Sequence, residues 1–479
     1  MRRTFVSNLI LIVALNLLVK PFYLLVVEAE IQNRVGAENF GNYFALINFS
    51  FLLNIILDLG ITNWNTRNLA QNNQVLQKHF SHIISLRLLL AGAFAIVVLA
   101  VGLILNYSMH QFEILAVLAF NQVLASGVLY LRSNLSALHL FRQDSIVSVL
   151  DRFILVLAMG ALLWGGIFGT ESFSVEWLVW GQTFAYGITM IVGFVLVKRN
   201  VAAVKISFDR VFNRAVLKQS FPYALLIFLS MIAYRVDAVM LERMQGAEEA
   251  GIYAMGFRFY EAFNMIAFLF AGLLLPIFSR MLSRKENVAQ LTTLAFRILF
   301  SGVLIVCSLC FFLAGFILET VYDLHIAEAL PAFQMLMIGV IFFSLQYVFG
   351  TLLTANGDLK ILIRIATLAM FMSILINFIF IPLWGALGAA YANCITQFIA
   401  LAAQILFVST RFRWSLQWPI IASTVLYATG VIFFSRLITI NIESPLFGAS
   451  IVCTTGIAWA FVTRMFSLRQ FMQLVRSVL

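Results

Sequence analysis

Two neighbouring residues of this 479-residue chain suggest anion binding by a helix that can bend. Lys20 stands inside a long apolar stretch and is followed at once by Pro21. If that stretch crosses a membrane, a charge within it costs about 2.5–3.5 kcal/mol and is by default functional. Pro21 lacks a backbone donor and therefore predicts a break or kink, a hinge, in the same helix. The alternative is a kinked helix whose lysine extends to the membrane surface.

Two later apolar stretches also carry charge. Arg235 and Asp237 lie two residues apart, so on a helix they do not face each other. Arg258 and Glu261 lie three apart on one face, where a local ion pair is the equal alternative to a functional role. Lys20, Arg235 and Arg258 predict the cations of a substrate-binding cavity, provided that their helices meet.

The remaining charged candidates fall into two groups. The carboxylates are candidates for ion or proton coupling, and they are Asp58, Asp237 and Glu261. The arginines flank apolar stretches on the side predicted below to be cytoplasmic, and they are Arg67, Arg132, Arg142, Arg152 and Arg364. Positive charges at such places ordinarily anchor helices, and the sharper interpretation is that some attract a phosphate head group at the inner mouth.

No metal or cofactor site is expected. Cys307 and Cys310 form a CxxC, but they lie in an apolar stretch, where small residues inside a helix are the better interpretation. His79 and His82 share a loop without an acidic or cysteine partner. No cofactor is therefore predicted.

Composition places the chain in a membrane. Hydrophobic residues make up 62% and charged residues 11%, whereas a soluble domain carries about a quarter charged residues. Stretches of roughly 20 apolar residues indicate membrane-spanning helices. Fourteen are predicted, at 6–27, 40–61, 84–105, 113–131, 146–166, 175–197, 219–241, 250–275, 295–318, 329–354, 361–381, 386–408, 417–437 and 446–464. The first has no small-residue cleavage site and is interpreted as a retained span.

Charge predicts the orientation of these spans. With the N-terminus in the cytoplasm, every inner segment is net positive, and every outer segment is negative or neutral. Both termini are therefore expected in the cytoplasm. The net charge of +10 follows from this topology, and no nucleic-acid partner is needed to account for it.

An internal repeat predicts the architecture. Gly36–Tyr43 reads GAENFGNY and Gly246–Tyr253 reads GAEEAGIY, which indicates doubling of a unit of about two hundred residues. Six spans per copy is an even number, so both copies enter the membrane in the same direction. The predicted fold is all-α, with 14 transmembrane helices in two six-helix lobes related by a parallel pseudo-twofold repeat, plus two C-terminal helices. The predicted parts are an N-terminal lobe (1–197), a basic cytoplasmic linker (198–218), a C-terminal lobe (219–410), and two helices with a basic tail (411–479).

Three segments resemble signatures of the polysaccharide-transport family. RVGAENFGNYFALINFSFLLNIILDLGITNWNTRNLA (34–70) is similar to its opening pattern, an outer turn followed by an apolar helix that ends in D-L-G. FPYALLIFLSMIAYRVDAVMLERMQGAEEAGIYAMGFRFYEAF (221–263) resembles its pattern for spans 7 and 8, and NFIFIPLWGALGAAYAN (377–393) its turn between spans 11 and 12. The family belongs to a superfamily that also contains multidrug (MATE) exporters and the lipid II flippase, and its O-antigen flippases of the Wzx type are the nearest resemblance.

The resemblance implies a function. It implies a flippase that moves an undecaprenyl-diphosphate-linked oligosaccharide, an O-antigen or exopolysaccharide repeat unit, to the outer leaflet by alternating access. It implies the bacterial inner membrane, lipid neighbours, and a polysaccharide polymerase and a chain-length regulator as candidate partners. The energy source stays open, with H⁺ or Na⁺ as candidate coupling ions at the carboxylates. Arg258 matches a position in span 8 where the lipid II flippase class also carries a cation, and Lys20 lies in span 1, where that class places basic residues.

Two other functions compete with this one. A MATE-type antiporter shares the fold and favours carboxylates for organic cations; the three buried bases speak against it, whereas Asp58, Asp237 and Glu261 favour it. A membrane enzyme, such as a polymerase or glycosyltransferase, needs a sizeable loop for catalysis, and none of the predicted outer loops is long enough. The chain is therefore predicted not to be an enzyme.

Overall fold

The computed structural model describes residues 15–65, 75–138, 140–166, 173–199, 208–414, 418–442 and 444–465. All regular elements in these ranges are helical. The chain divides into two compact units, Met1–Gly251 and Ile252–Leu479.

The first unit begins with a helix, α1, over residues 15–22, which continues through one π-helical turn at Tyr23–Val27. Its further helices are α2 (Glu28–Leu53), α3 (Ile55–Asp58), α4 (Val75–Ile104), α5 (Met109–Ala137), α6 (Phe141–Trp164), α7 (Val175–Lys198) and α8 (Arg210–Gln245). In this unit α5 packs on α2, α4, α6 and α7, and α8 packs along α2.

Helix α9 (Ala247–Ser283) starts in the first unit and runs into the second. The second unit continues with α10 (Ala289–Phe312), α11 (Ala314–Val321), α12 (Ile326–Asn356), α13 (Leu359–Arg411), α14 (Trp418–Asn441) and α15 (Pro445–Val462). The last two helices pack on α10, where Tyr427 of α14 donates a hydrogen bond to the Ser301 carbonyl at 3.2 Å.

Twelve helices of the described residues are long and apolar enough to cross a membrane. Two of them, Leu15–Asp58 and Leu359–Arg411, have 44 and 53 residues, about twice the length that a bilayer needs. Each is interrupted by one glycine outside helical geometry, Gly36 (φ 81°) and Gly385 (φ 53°). Counting each as two passes gives fourteen, and the number of crossings stays a prediction.

The predicted outer turn before Gly36 differs from the structure. Span 1 was expected to end near residue 27, but the polar segment from Glu28 to Val35 continues the helix up to Gly36. Polar side chains satisfy each other along this segment, where Arg34 Nε donates to Glu30 at 2.8 Å, one turn away. An i,i+4 pair of this kind stabilises a helix that hydropathy alone would end.

The two copies of the repeat contact each other reciprocally. A Cβ added to Gly41 would lie 1.7 Å from the carbonyl oxygen of Ala247, and one added to Gly251 would lie 2.0 Å from that of Ala37. The second residue of each copy thus contacts the sixth residue of the other, Ala247 with Gly41 and Ala37 with Gly251. Gly36 and Gly246, the first residues, share positive φ (81° and 102°) with extended ψ. The repeat therefore encodes two matched helix starts whose backbones pack without intervening side chains.

We expect Gly41→Ala and Gly251→Ala each to lower the melting temperature of the purified protein by several degrees. A methyl group at either position must push two helix backbones apart, which costs about 1–3 kcal/mol. The measurement is thermal unfolding in detergent.

The matched control is Gly92→Ala, because a Cβ at Gly92 meets no atom within 4 Å. It should leave the melting temperature unchanged or raise it slightly, since alanine is the better helix former. Equal melting temperatures for all three variants would contradict the close contact.

Candidate functional site

Lys20 lies in a polar cluster inside the first unit. Its half-buried side chain is within electrostatic range of Asp151, Arg132 and Arg152. One turn before it, buried Asn16 donates to Ser148 Oγ at 3.1 Å. The structure thus joins the predicted cavity cation to two of the arginines predicted for the inner mouth.

Arg152 is held by tyrosines. Its Nη2 donates to the Tyr186 hydroxyl at 3.0 Å, and its guanidinium carbon lies 4.8 Å from the centroid of the Tyr23 ring. Its Nε is 3.7 Å from Asp151 Oδ2, and Glu28 is within electrostatic range. A guanidinium stacks on aromatic faces at little cost in solvation, so this environment can hold a charge away from water.

The cluster contains as many carboxylates as cations. Arg132 Nε donates to Asp144 Oδ1 at 2.8 Å, so this arginine is part of an ion pair at the start of α6. The cluster thus holds three cations, Arg132, Lys20 and Arg152, and three carboxylates, Asp144, Asp151 and Glu28. An anionic ligand would have to compete with carboxylates already present.

Helix α1 passes through Pro21 without ending. Phe22 keeps right-handed helical angles, and the irregularity follows as the π turn, in which the Glu28 amide donates to the Tyr23 carbonyl. The donor that Pro21 lacks would have bonded the carbonyl of Leu17, one turn before the proline, so the π turn is a separate irregularity. Turns of this kind are frequent at functional sites. The role of Pro21 as a hinge stays a prediction.

Several members of this cluster were not predicted from the sequence. They are Asn16, Tyr23, Glu28, Asp151, Tyr186, Gln182 and Tyr43, of which Gln182 donates to the Tyr43 hydroxyl at 2.6 Å. A polar side chain in the middle of an apolar span, such as Gln182, is a signal that could have been used, since it needs a partner in lipid.

Arg235 and Arg258 have different surroundings. Arg235 donates from Nη1 to Asn48 Oδ1 of α2 at 2.5 Å and lies over Phe51, 4.4 Å from the ring centroid. Arg258, in the second unit, is 1% exposed and donates from Nη1 to the Tyr322 hydroxyl at 3.0 Å. Their predicted assignment to a cavity with Lys20 stays a prediction.

Asp58 forms a half-buried ion pair. Arg87 Nη1 donates to Asp58 Oδ1 at 2.6 Å, and the Thr62 amide donates to the same carboxylate at 3.1 and 3.2 Å. Arg87 also donates from Nη2 to the Ser126 carbonyl at 2.8 Å. The D-L-G signature thus has a structural role, because a Cβ on Gly60 would lie 2.5 Å from the Ser220 carbonyl of α8.

The other predicted site residues are scattered. Asp237 is buried and accepts a hydrogen bond from the Ala238 amide at 2.8 Å, and Glu261 is half-buried in α9. Arg142 and Arg364 are exposed at the starts of α6 and α13. Arg67 lies outside the described residues. Within those residues, no group of three or more His, Cys, Asp or Glu side chains could hold a metal ion.

These features define a multi-pass α-helical membrane protein that keeps charged side chains among its spans. A family model described as "Polysaccharide biosynthesis protein" matches residues 5–282, more than half of the chain. The chain belongs to this family, which confirms the resemblance found in its signatures.

The comparisons extend to individual proteins. The capsular polysaccharide biosynthesis protein CapF of Staphylococcus aureus is 25% identical over 197 residues, 40% of this chain and 49% of that protein. The match thus spans about half the length of that relative. The inward closed structure of the lipid II flippase MurJ superposes with a TM-score of 0.76 at 16% identity and covers 97% of this chain and 100% of that one. An inward-facing structure of a MATE transporter superposes with a TM-score of 0.65 at 13% identity and covers 85% of this chain and 98% of that one. The all-α polytopic fold is therefore confirmed.

We expect Asp58→Asn and Arg87→Gln each to destabilise the protein by about 2–3 kcal/mol, because either change leaves the other charge largely out of water without its partner. The double variant should cost less than the sum of the two. Thermal unfolding in detergent measures all three.

Arg284→Gln is the control, since its ion pair with Glu286 spans 3.8 Å and is 58% and 48% exposed. Its effect should stay below about 1 kcal/mol. If Asp58→Asn kept full stability and lost only transport, Asp58 would be a coupling residue instead of a structural one.

Proposed function

We propose that this protein is a flippase for an undecaprenyl-diphosphate-linked oligosaccharide, an O-antigen or exopolysaccharide repeat unit. It would carry this lipid from the cytoplasmic to the outer leaflet of the bacterial inner membrane by alternating access, with both chain termini in the cytoplasm. Membership in the polysaccharide biosynthesis family and the likeness of the fold to a lipid II flippase support this proposal.

The observation that carries the proposal is the position of Lys20. Its ammonium group is half-buried within a membrane-spanning helix, beside Arg132 and Arg152. A diphosphate cannot cross hydrocarbon unaided, and basic side chains that accept it offset the loss of its hydration. The undecaprenyl tail needs no such help, because it can stay in the lipid.

The cluster suggests how the substrate is taken up. At rest Asp151 supplies the counter-charge of Lys20. The incoming diphosphate would replace Asp151 as the partner of Lys20, while Arg152 keeps its tyrosine contacts. Lys20 is a compact point charge on a flexible stem and suits such an exchange better than a stacked guanidinium. Arg235 and Arg258 are proposed as further cations on the substrate's path.

Coupling and partners follow as further parts of this proposal. Asp237 and Glu261 are the remaining candidates for binding H⁺ or Na⁺, since Asp58 is engaged by Arg87. A polymerase and a chain-length regulator would use the delivered repeat unit. A MATE-type drug antiporter would share the fold, but the family match favours the polysaccharide substrate.

We expect Lys20→Ala and Arg258→Ala each to lower transport of a lipid-linked oligosaccharide by about tenfold or more. A charge-assisted hydrogen bond to the diphosphate is worth about 1.5–3 kcal/mol. Lys20→Arg should retain part of the activity. Transport is measured in reconstituted vesicles as the fraction of lipid that becomes accessible in the opposite leaflet.

Lys360→Ala is the matched control, because Lys360 is exposed at the start of α13, and it should transport like the unaltered protein. Unimpaired turnover in both Lys20→Ala and Arg258→Ala would refute the binding role of these residues. Export of an organic cation without any lipid transport would instead favour the antiporter.

A further inference from the structure

A groove in the first unit lies apart from the polar cluster around Lys20. It has a volume of about 920 Å³ and lies between the start of α8 and the inner part of α4. This volume is within the range of about 300–1,000 Å³ that is usual for ligand pockets. None of the predicted site residues lines this groove, and of its lining only Phe221 belongs to a family signature.

One wall of the groove is basic. Arg210, Arg214 and Lys218 line it and are spaced four residues apart, so they form a single row along one face of α8. All three are exposed. Asp209 caps the helix by accepting from the Val211 and Phe212 amides at 2.9 and 3.0 Å. The attraction for an anion therefore comes from the basic side chains and not from free amides at the helix start.

The rest of the lining forms an apolar wall. Leu86 and Leu89 of α4 and Leu217 and Phe221 of α8 line it, and Leu89 and Phe221 are 55% and 58% exposed. Cations beside exposed leucine and phenylalanine side chains match a molecule that has an anionic head and a hydrocarbon tail. A free phosphate or nucleotide would leave this apolar wall uncovered.

A buried amide also lines the groove. Asn213 is 7% exposed, and its Oδ1 has no hydrogen-bond partner among the described residues. A buried amide oxygen without a partner is unfavourable, because it has lost its hydrogen bonds to water. A ligand that brings a hydroxyl donor next to its phosphate would satisfy it.

We propose that this groove binds an anionic glycerophospholipid of the cytoplasmic leaflet. The phosphate contacts Arg210, Arg214 and Lys218, the hydroxyl of the head group donates to Asn213, and an acyl chain covers the apolar wall. The predicted topology places the start of α8 at the cytoplasmic surface, where basic residues attract anionic lipids. This lipid is distinct from the transported substrate.

Native mass spectrometry of the purified protein with phosphatidylglycerol and with phosphatidylcholine tests this site. The unaltered protein should retain phosphatidylglycerol at lower lipid concentration than phosphatidylcholine. The triple variant Arg210→Gln, Arg214→Gln, Lys218→Gln should bind phosphatidylglycerol at least about tenfold more weakly, because each basic residue near a membrane surface contributes severalfold. Asn213→Leu should weaken the binding of phosphatidylglycerol by about a few-fold.

The matched control removes two arginines and one lysine elsewhere. They are Arg280 in the last turn of α9 and Arg284 and Lys285 directly after this helix, and all three are exposed. This triple glutamine variant should bind phosphatidylglycerol normally. If the first triple variant does not fold, two measurements replace it. Arg214→Gln alone should weaken phosphatidylglycerol binding, and added salt should weaken its binding to the unaltered protein.

Equal binding of the two lipids, or equal loss in both triple variants, would overturn the proposal. So would displacement of phosphatidylglycerol by a short polyprenyl diphosphate, which would make the groove an entry point for substrate. The experiment needs no transport, so its failure is separate from failure of the flippase proposal.

Discussion

The contact between the two copies of the glycine repeat is the constraint on which the first unit depends. Gly41 and Gly251 have room for no side chain, because the carbonyl oxygens of Ala247 and Ala37 occupy the places where their Cβ atoms would lie. The two helix starts therefore pack backbone against backbone. Gln32 adds to this contact by donating a hydrogen bond from its side chain to the Gly251 carbonyl at 2.9 Å. In lipid the hydrophobic effect does not drive helices together, so close backbone packing of this kind carries much of the association. The positions of the charged side chains on these helices follow from it.

Charge inside the first unit is stabilised by partners of different strength. Asp58 and Arg87 form a short ion pair whose other hydrogen-bonding groups are also satisfied, as a membrane interior demands. Lys20 has a weaker environment, in which Asp151 attracts it and Arg132 and Arg152 oppose it. A firmly held group exchanges its partner at a larger cost than a loosely held one, which is why the proposal assigns ligand binding to Lys20 and not to the Asp58 pair. The buried charges are therefore not equivalent, although they look alike in the sequence.

Much of the fold could be predicted, because hydropathy and charge bias act locally along the chain. The two matched glycines, Gly36 and Gly246, mark helix ends in the structure as the repeat indicated. Partners could not be predicted, since they depend on packing between distant segments. The sequence predicts Arg132 as a residue of the inner mouth, which stays a prediction, and it does not reveal that Arg132 pairs with Asp144 in the cluster around Lys20. No periodicity in the sequence signals that pairing.

The π turn at Tyr23–Val27 has a geometric consequence for the whole first helix. A π turn holds one residue more than an α turn, so everything before it is rotated by about 100° relative to an unbroken α-helix. A helical wheel drawn through residues 15–35 as one α-helix therefore misplaces Lys20 by about 100° relative to the residues that follow the π turn. Deleting one residue of the turn would leave a continuous helix and yet swing the ammonium group away from Asp151. The number of residues in the π turn therefore determines on which side of the helix the Lys20 ammonium group lies. The identity of those residues matters less.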